Sequence, residues 1–189
     1  MAIKVIVLNG TSSSGKSSIA RCLQSLLPDP WLTMGVDSLI DAMPPAMLRS
    51  QDGLVFAPDG SISVGPGYQR LQTAWSQGIA AMAQAGAGII LDVVFLDGAE
   101  GQRRWTAVLA GLQVLWVGVM CDKLVAAARE AARGDRVPGM AAQAPLVHRH
   151  MAYDLTVDTT QTLPGDCARR IVDRVASGPP LSHCEGRRP

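Results

Sequence analysis

The sequence predicts a doubly wound α/β fold, a parallel sheet covered by helices on both faces, and three observations carry that prediction. Five short runs of branched apolar residues recur along the chain, at residues 3–8 (IKVIVL), 31–36 (WLTMGV), 88–95 (GIILDVVF), 114–120 (VLWVGVM) and 154–159 (DLTVDT). The first, third and fourth are almost continuously apolar rather than alternating, which marks strands buried on both faces. Segments with helical spacing separate the runs, and strands alternating with helices imply right-handed crossovers into one sheet. The 189 residues suit one domain. At 48% hydrophobic and 17% charged the chain can bury a core, and with 4% aromatic residues that core must be Ala, Val, Ile, Leu and Met.

In chain order, the first strand leads into a helix over residues 16–27, and the second into a helix over 38–48. Within that helix DAMPPAM (41–47) places two adjacent prolines. Residues 54–64 (LVFAPDGSISV) read as a small inserted hairpin turning at Pro58-Asp59-Gly60. Helices are expected at 67–84, 99–110, 123–132 and 164–176. Residues 133–145 (RGDRVPGMAAQAP) are too rich in Gly, Pro and Ala for a strand and read as a mobile excursion. The domain is expected over residues 1–176, with a polar, Pro/Gly-rich, flexible tail at 177–189. There is no internal repeat.

Charge narrows the function classes. Lys and Arg number 17 against 16 Asp and Glu, a net charge of +1. No sequence-wide basic field exists for nucleic acid or an anionic membrane, so neither is expected as a partner. The cysteines (Cys22, Cys121, Cys167, Cys184) are widely spaced with no C-x-x-C pair, which fits a reducing compartment. The N-terminus runs straight into a strand without a signal-like segment, and apolar runs stop well short of the ~20 residues of a membrane helix. A cytoplasmic protein is expected; its oligomeric state is open, a homo-oligomer included. Any anion must be held by a local constellation.

One such constellation follows the first strand. Gly10-Thr11-Ser12-Ser13-Ser14-Gly15-Lys16-Ser17 matches the phosphate-binding pattern G-x-x-x-x-G-K-[ST] in full, between a buried strand and a helix. Glycines let the backbone wrap around phosphate oxygens, and the amides from Gly10 to Ser18 point inward as an anion nest at the positive end of the helix. Lys16 adds a point charge for the β- and γ-phosphates, and the Ser17 hydroxyl can ligate Mg²⁺. The plainer alternative is a Ser/Gly loop that only caps a helix. The match between strand and helix favours a nucleoside triphosphate, ATP with Mg²⁺.

Ligands of such sheets lie beyond the carboxyl ends of the strands, where two acids stand. Asp92 sits inside GIILDVVF after three apolar residues, a costly place for a carboxylate unless it is compensated. It is the candidate partner of Ser17 on Mg²⁺. Asp37 ends WLTMGV and is either a helix N-cap or a general base for an acceptor hydroxyl. Arg129, Arg133 and Arg136 form a third group. The first two share a helical face, and Gly134 can end the helix and swing Arg136 onto the excursion. They read as an anion clamp in a lid that stabilises transferring phosphoryl charge, or else as a solvated helix end.

Other residues are set aside. His148 and His150 fall on different faces of a helix with no Cys or acid at ligand spacing, and His183 lies in the tail, so no metal site is assigned there. Met34, Met43, Met47 and Met140 read as core. The DAMPPAM segment and Phe56 from the hairpin region could line an apolar acceptor pocket near Asp37.

The stretch VIVLNGTSSSGKSSIARCLQSLLPDPWLTMGVDSLIDAMP, with GAGIILDVVFL, VLWVGVMCD, REAARGDRVPGMA and YDLTVDTT, resembles the chloramphenicol phosphotransferases, antibiotic-inactivating kinases, over about residues 3–160. The resemblance implies a P-loop kinase fold with a five-stranded parallel sheet and a lid, and ATP-dependent phosphorylation of the primary hydroxyl of chloramphenicol. It implies Asp37 as catalytic base, Gly10 to Ser17 on ATP, and Arg133 and Arg136 in the lid. Three departures stand out: Asp92 is followed by Val93 where the family carries a second acid, and residues 143–151 and the tail diverge. Alternatives are a kinase of a sugar acid, shikimate-like acid or nucleoside, and a nucleotide-binding regulatory module. A polar or anionic acceptor would want several cations around residues 37–70, where only Arg49 and Arg70 occur.

Overall fold

A computed structural model describes residues 2–56, 62–133 and 144–178. Five strands form one parallel sheet: β1 (Val5–Asn9), β2 (Trp31–Gly35), β5 (Gly88–Val93), β6 (Val114–Met120) and β7 (Leu155–Asp158). Their order is β2-β5-β1-β6-β7. The chain moves outward from β1 to one edge and then crosses to the other side, so β1 lies at the switch point where such sheets bind ligands. The sequence-predicted strands agree with these bounds to within two residues.

Alternation along each strand divides the core into two layers. Ile6, Leu8, Ile90, Leu115 and Val117 face α1 (Lys16–Leu26) and α7 (Pro164–Ala176), meeting Ile19, Leu23, Cys167 and Ile171. Val5, Val7, Ile89, Leu91 and Val93 face the other way, against Ile79, Ala80 and Ala83 of α3 (Pro66–Gln84) and beside α4 (Ala99–Val108). Most of these side chains have no solvent exposure at all, as continuous apolar strands require. A T-shaped contact between Trp75 and Trp105 joins α3 to α4, with ring centroids 6.0 Å apart.

The helix expected over 38–48 is two pieces. α2 (Val36–Ala42) stops, and a 3-10 turn covers Pro45–Arg49. Met43 precedes Pro44 and adopts φ −81°, ψ 149°, the extended conformation that a following proline imposes. β3 (Leu54–Phe56) and β4 (Ile62–Val64) pair antiparallel, Val55 opposite Ser63. The chain then returns to Asp52, whose Oδ1 accepts from Gly67 N–H at 2.8 Å at the start of α3. Leu39, Met43, Leu54 and Tyr68 close a small apolar cluster beneath this excursion. The remaining helices are α5 (Lys123–Arg133) and a single turn, α6 (Ala144–Val147). Residues 57–61 with the expected turn at Pro58-Asp59-Gly60, most of the expected lid and the tail beyond residue 178 lie outside the described residues. Among the described residues no helix is long and apolar enough to cross a membrane.

Candidate active site

The loop after β1 is shaped by two glycines. Gly15, the N-cap of α1, holds φ +89°, open to glycine at little cost. A Cβ on Gly10 would stand 2.6 Å from the Val119 carbonyl oxygen, so only glycine lets the loop lie against β6. Ser13 also holds a positive φ of 58°. Inside the loop, Lys16 Nζ donates to Gly10 O at 2.9 Å and to Thr11 O at 2.8 Å, and the side chain is 6% exposed. The Ser13 and Ser14 hydroxyls are buried with no hydrogen-bond partner among the described residues. Buried donors without acceptors beside an ammonium fit an anion, so the loop suits the phosphates of a nucleotide. Ser12 and Ser18 lie on the same loop and the first turn of α1.

Strand parity places Asp92. Ile90 faces α1, so Asp92, two residues on, faces α1 as well. There Ser17 Oγ donates to Asp92 Oδ2 at 2.8 Å, and Lys16 Nζ stands 3.7 Å from Asp92 Oδ1. Val93 points to the opposite layer and packs in its core. The strand therefore presents one acid to the loop, and the valine takes nothing from the Ser17 side. No group of three or more His, Cys, Asp or Glu capable of holding a metal exists among the described residues. Ser17 and Asp92 still fit Mg²⁺, which usually binds through one or two carboxylates plus phosphates and water.

Asp37 reaches the same end of the sheet from the neighbouring strand. Gly35 pairs with Asp92, and Asp37 lies two residues beyond it, in the first turn of α2. The N-cap is Gly35, whose N–H donates to Ser38 Oγ at 3.3 Å, so the capping alternative for Asp37 does not hold.

On the other flank of the loop a cleft of about 420 Å³ is lined by Thr11, Met120, Cys121, Asp122, His148, Asp158 and Thr160. Arg129 borders it: Nη2 donates to Thr159 O at 2.8 Å and Nη1 to Thr159 Oγ1 at 3.3 Å. Thr159 is buried, and its hydroxyl donates to Ser14 O at 2.7 Å, bracing the loop from behind. Asp122 Oδ1 caps α5 through the amides of Leu124 and Val125. Hydrogen bonds from Thr160 hold Asp158 below the usual carboxylate range. Arg133 ends α5, but its side chain and the whole of Arg136 lie outside the described residues.

Residues 148–150 are not helical as the spacing suggested; they form a turn after α6, with His150 exposed at φ 55°. His148 instead turns inward, and its Nδ1 meets the Tyr153 hydroxyl at 2.7 Å. Burial, then the nearby Lys16 ammonium, hold His148 below the ordinary imidazole range. Burial pushes Tyr153 up to about 12, against the pull of its bond from Asn9. Asn9, Thr159 and Tyr153 were not assigned a role from the sequence, because their contacts span 86 to 145 residues of chain, and His148 was weighed there only as a metal ligand.

Residues 3–176 match the family profile described as chloramphenicol phosphotransferase-like protein. Relatives from two strains of Mycobacterium tuberculosis, named provisionally as O-phosphotransferases, are 32% identical over 186 residues, covering 89% of this chain and 80% of theirs. Among solved structures, the adenylyl-sulfate (APS) kinase of M. tuberculosis with AMPPNP and APS has a TM-score of 0.62 at 16% identity, covering 94% of this chain and 99% of that one. A gluconokinase from Sinorhizobium meliloti scores 0.62 at 14% identity, with coverages of 93% and 92%. A shikimate kinase from Acinetobacter baumannii with shikimate scores 0.56 at 15% identity, with coverages of 93% and 94%. At such identities these structures share the fold.

Proposed function

The chain belongs to the chloramphenicol phosphotransferase-like family, and on that premise we propose that it transfers the γ-phosphoryl group of MgATP to the primary hydroxyl of chloramphenicol or a closely similar neutral acceptor, inactivating the antibiotic. Phosphotransfer to a small molecule is the family's chemistry; the acceptor and the residue roles are the proposal. The observation that carries it is the register Gly35 to Asp92, which sets the turn bearing Asp37 beside the corner where Lys16, Ser17 and Asp92 meet.

In this reading the Gly10–Ser17 loop holds the phosphates, with Lys16 on the β- and γ-phosphates. Ser17 and Asp92 would hold Mg²⁺, whose charge offsets that of the phosphates. The nucleotide extends over the β6–β7 flank, into the cleft bordered by Arg129. The acceptor lies on the β2–β5 flank, where Asp37 takes the hydroxyl proton and aims the oxygen at phosphorus. Arg133 and Arg136 close over the developing charge. The cluster of Leu39, Met43, Leu54 and Tyr68 under the hairpin gives that flank an apolar wall. Arg70 stands 3.8 Å from Asp52, and Arg49 is the one other cation of residues 37–70, a sparse set for an anionic acceptor.

Purified protein with MgATP is expected to phosphorylate chloramphenicol and to leave untouched an analogue lacking the primary hydroxyl. Transfer to gluconate, shikimate or a nucleoside in the same screen, and none to chloramphenicol, overturns the acceptor. Nucleotide binding without transfer to any of them points to the regulatory alternative. Asp37→Asn is expected to lower kcat by about 10²–10⁴-fold while nucleotide affinity stays within a factor of about two, the signature of a lost general base. Near-normal kcat refutes that assignment.

A further inference from the structure

Asn9 closes β1 with both amide hydrogens and the carbonyl oxygen of its side chain engaged by neighbours, which orients the group. The Phe95 backbone N–H can only donate, which makes the Asn9 atom 3.0 Å away the acceptor, Oδ1. Nδ2 therefore spends its two hydrogens on Val147 O, at 3.0 Å, and on the Tyr153 hydroxyl, at 2.7 Å. The phenol's own hydrogen then has His148 Nδ1, 2.7 Å away, as its acceptor among the described residues, and the phenol is the donor because this gives that buried hydrogen a partner. Nδ1 can accept only when bare, so the neutral imidazole carries its proton on Nε2. Burial keeps the Tyr153 phenol protonated, which preserves this chain of donors.

The ring is also held in place. Val147 is fully buried with its carbonyl tied to Asn9. The Tyr153 ring packs over Gly118, where any Cβ would come within 2.8 Å of it, and meets the His148 ring edge-on with centroids 5.8 Å apart. His148 thus stands as a fixed donor in the cleft that Thr11, the second residue of the phosphate loop, also lines. The two acids of that cleft turn Oδ1 to neighbouring amides, Asp122 to Leu124 and Val125 and Asp158 to Thr160 N–H at 2.7 Å. A neutral donor suits the spot, because a second buried cation beside Lys16 would be costly before the phosphates arrive.

We propose that His148 is a phosphate-binding residue, locked by Tyr153 and Asn9 so that its Nε2–H donates to a phosphate oxygen of the nucleotide seated in the Gly10–Ser17 loop. This deepens the kinase reading and rests on the loop's holding a nucleotide, but not on the identity of the acceptor.

The test is ¹⁵N NMR of histidine-labelled full-length protein, titrated with MgADP and with the non-hydrolysable MgAMPPNP. Free protein is expected to show His148 as the Nε2–H tautomer. Nucleotide is expected to shift its Nε2 resonance and slow exchange of the Nε2 proton, without changing the tautomer. Loop occupancy is read separately from the Gly15 and Lys16 amides of uniformly ¹⁵N-labelled protein. An occupied loop with unmoved His148 resonances, or an Nδ1–H tautomer in the free protein, overturns the proposal and leaves the kinase reading standing. An unoccupied loop overturns both.

Kinetics give a second readout. His148→Phe is expected to raise KM for ATP about tenfold, with a smaller change in kcat, the scale of one hydrogen bond to a charged group. His148→Gln, whose amide N–H₂ reaches the Nε2 position, is expected to recover most of that loss, and equal defects in both variants refute the donor role. Tyr153→Phe frees the ring to sample both tautomers and is expected to show a mixed NMR signature, which loss of packing alone would not produce.

Discussion

At the scale of single residues, the phosphate loop owes its shape to groups that never touch phosphate. Thr159 lies 145 residues from Ser14 in sequence, yet its hydroxyl holds the Ser14 carbonyl and its backbone oxygen holds Arg129. Removing one partner of a buried hydrogen bond strands the other, which costs about 1–3 kcal/mol. Thr159→Val keeps the shape and deletes the bond. It is expected to lower stability by roughly that amount in urea titration and to weaken MgATP binding, with a smaller effect on kcat than Asp37→Asn.

His148 has a signature in pH. Its imidazole is held below the ordinary range in the fold, by burial first and the Lys16 charge second. A group depressed by folding supports stability while it is neutral in both states. As pH falls below the unfolded value of ~6.5, the unfolded chain takes up its proton first, and the support is lost through the folded value. Stability is therefore expected to fall as pH drops below about 6.5, and the fall is expected to be shallower in His148→Gln. Denaturant midpoints at several pH values check the difference. Identical slopes in the two proteins would refute it.

Among the elements, α1 does two things at once. Its first turn carries Lys16 and Ser17 to the loop, and its inner face packs Ile19, Ala20 and Leu23 against the sheet and α7. Ile171 of α7 is fully buried in that layer, far along the chain from the site residues. Ile171→Ala is expected to cost about 2–5 kcal/mol in unfolding experiments through the cavity it leaves. KM and kcat of the folded fraction should stay near normal at low temperature. A large KM effect would mean that α1 shifts with its partner helix.

The two flanks of the sheet divide the work of the elements. Asp37 stands just beyond β2 and Asp92 near the end of β5, while β6 and β7 end in the cleft beside α5. The prolines that break α2 from the 3-10 turn bring Met43 and Met47 back over the Asp37 side, where they meet the hairpin and Tyr68.

For the whole molecule, a net charge of +1 on 189 residues is compatible with binding a polyphosphate because the positive field is local. Lys16 and the loop amides sit at the sheet's switch point, partly shielded from solvent and salt. A ligand that binds only the folded state stabilises it by mass action. MgATP at 100 times its Kd is expected to add about 2.7 kcal/mol, read as a rise in Tm that depends on nucleotide concentration. Lys16→Ala is expected to abolish most of that rise, and an equal rise in both proteins would place the nucleotide elsewhere.

The fold class, the five strands and the phosphate loop were legible in the sequence because each is written locally. Apolar runs of strand length and G-x-x-x-x-G-K-S depend only on neighbours along the chain. Asp37 and Asp92 were legible as candidates for the same reason: each ends or interrupts an apolar run. Their relation was not, since it is the register Gly35 to Asp92 that brings the two strand ends together. Likewise the sequence could not tell that Val93 faces away from Ser17 until strand parity was set by packing. His148 looked like half of a weak metal pair on a helix. Only the folded chain pairs it with Tyr153 and anchors Tyr153 and Val147 on Asn9, because those anchoring bonds, 138 and 144 positions apart, leave no periodic trace in sequence. Local patterns determined what kind of protein this is, and closure of the sheet around β1 decided which side chains share a site.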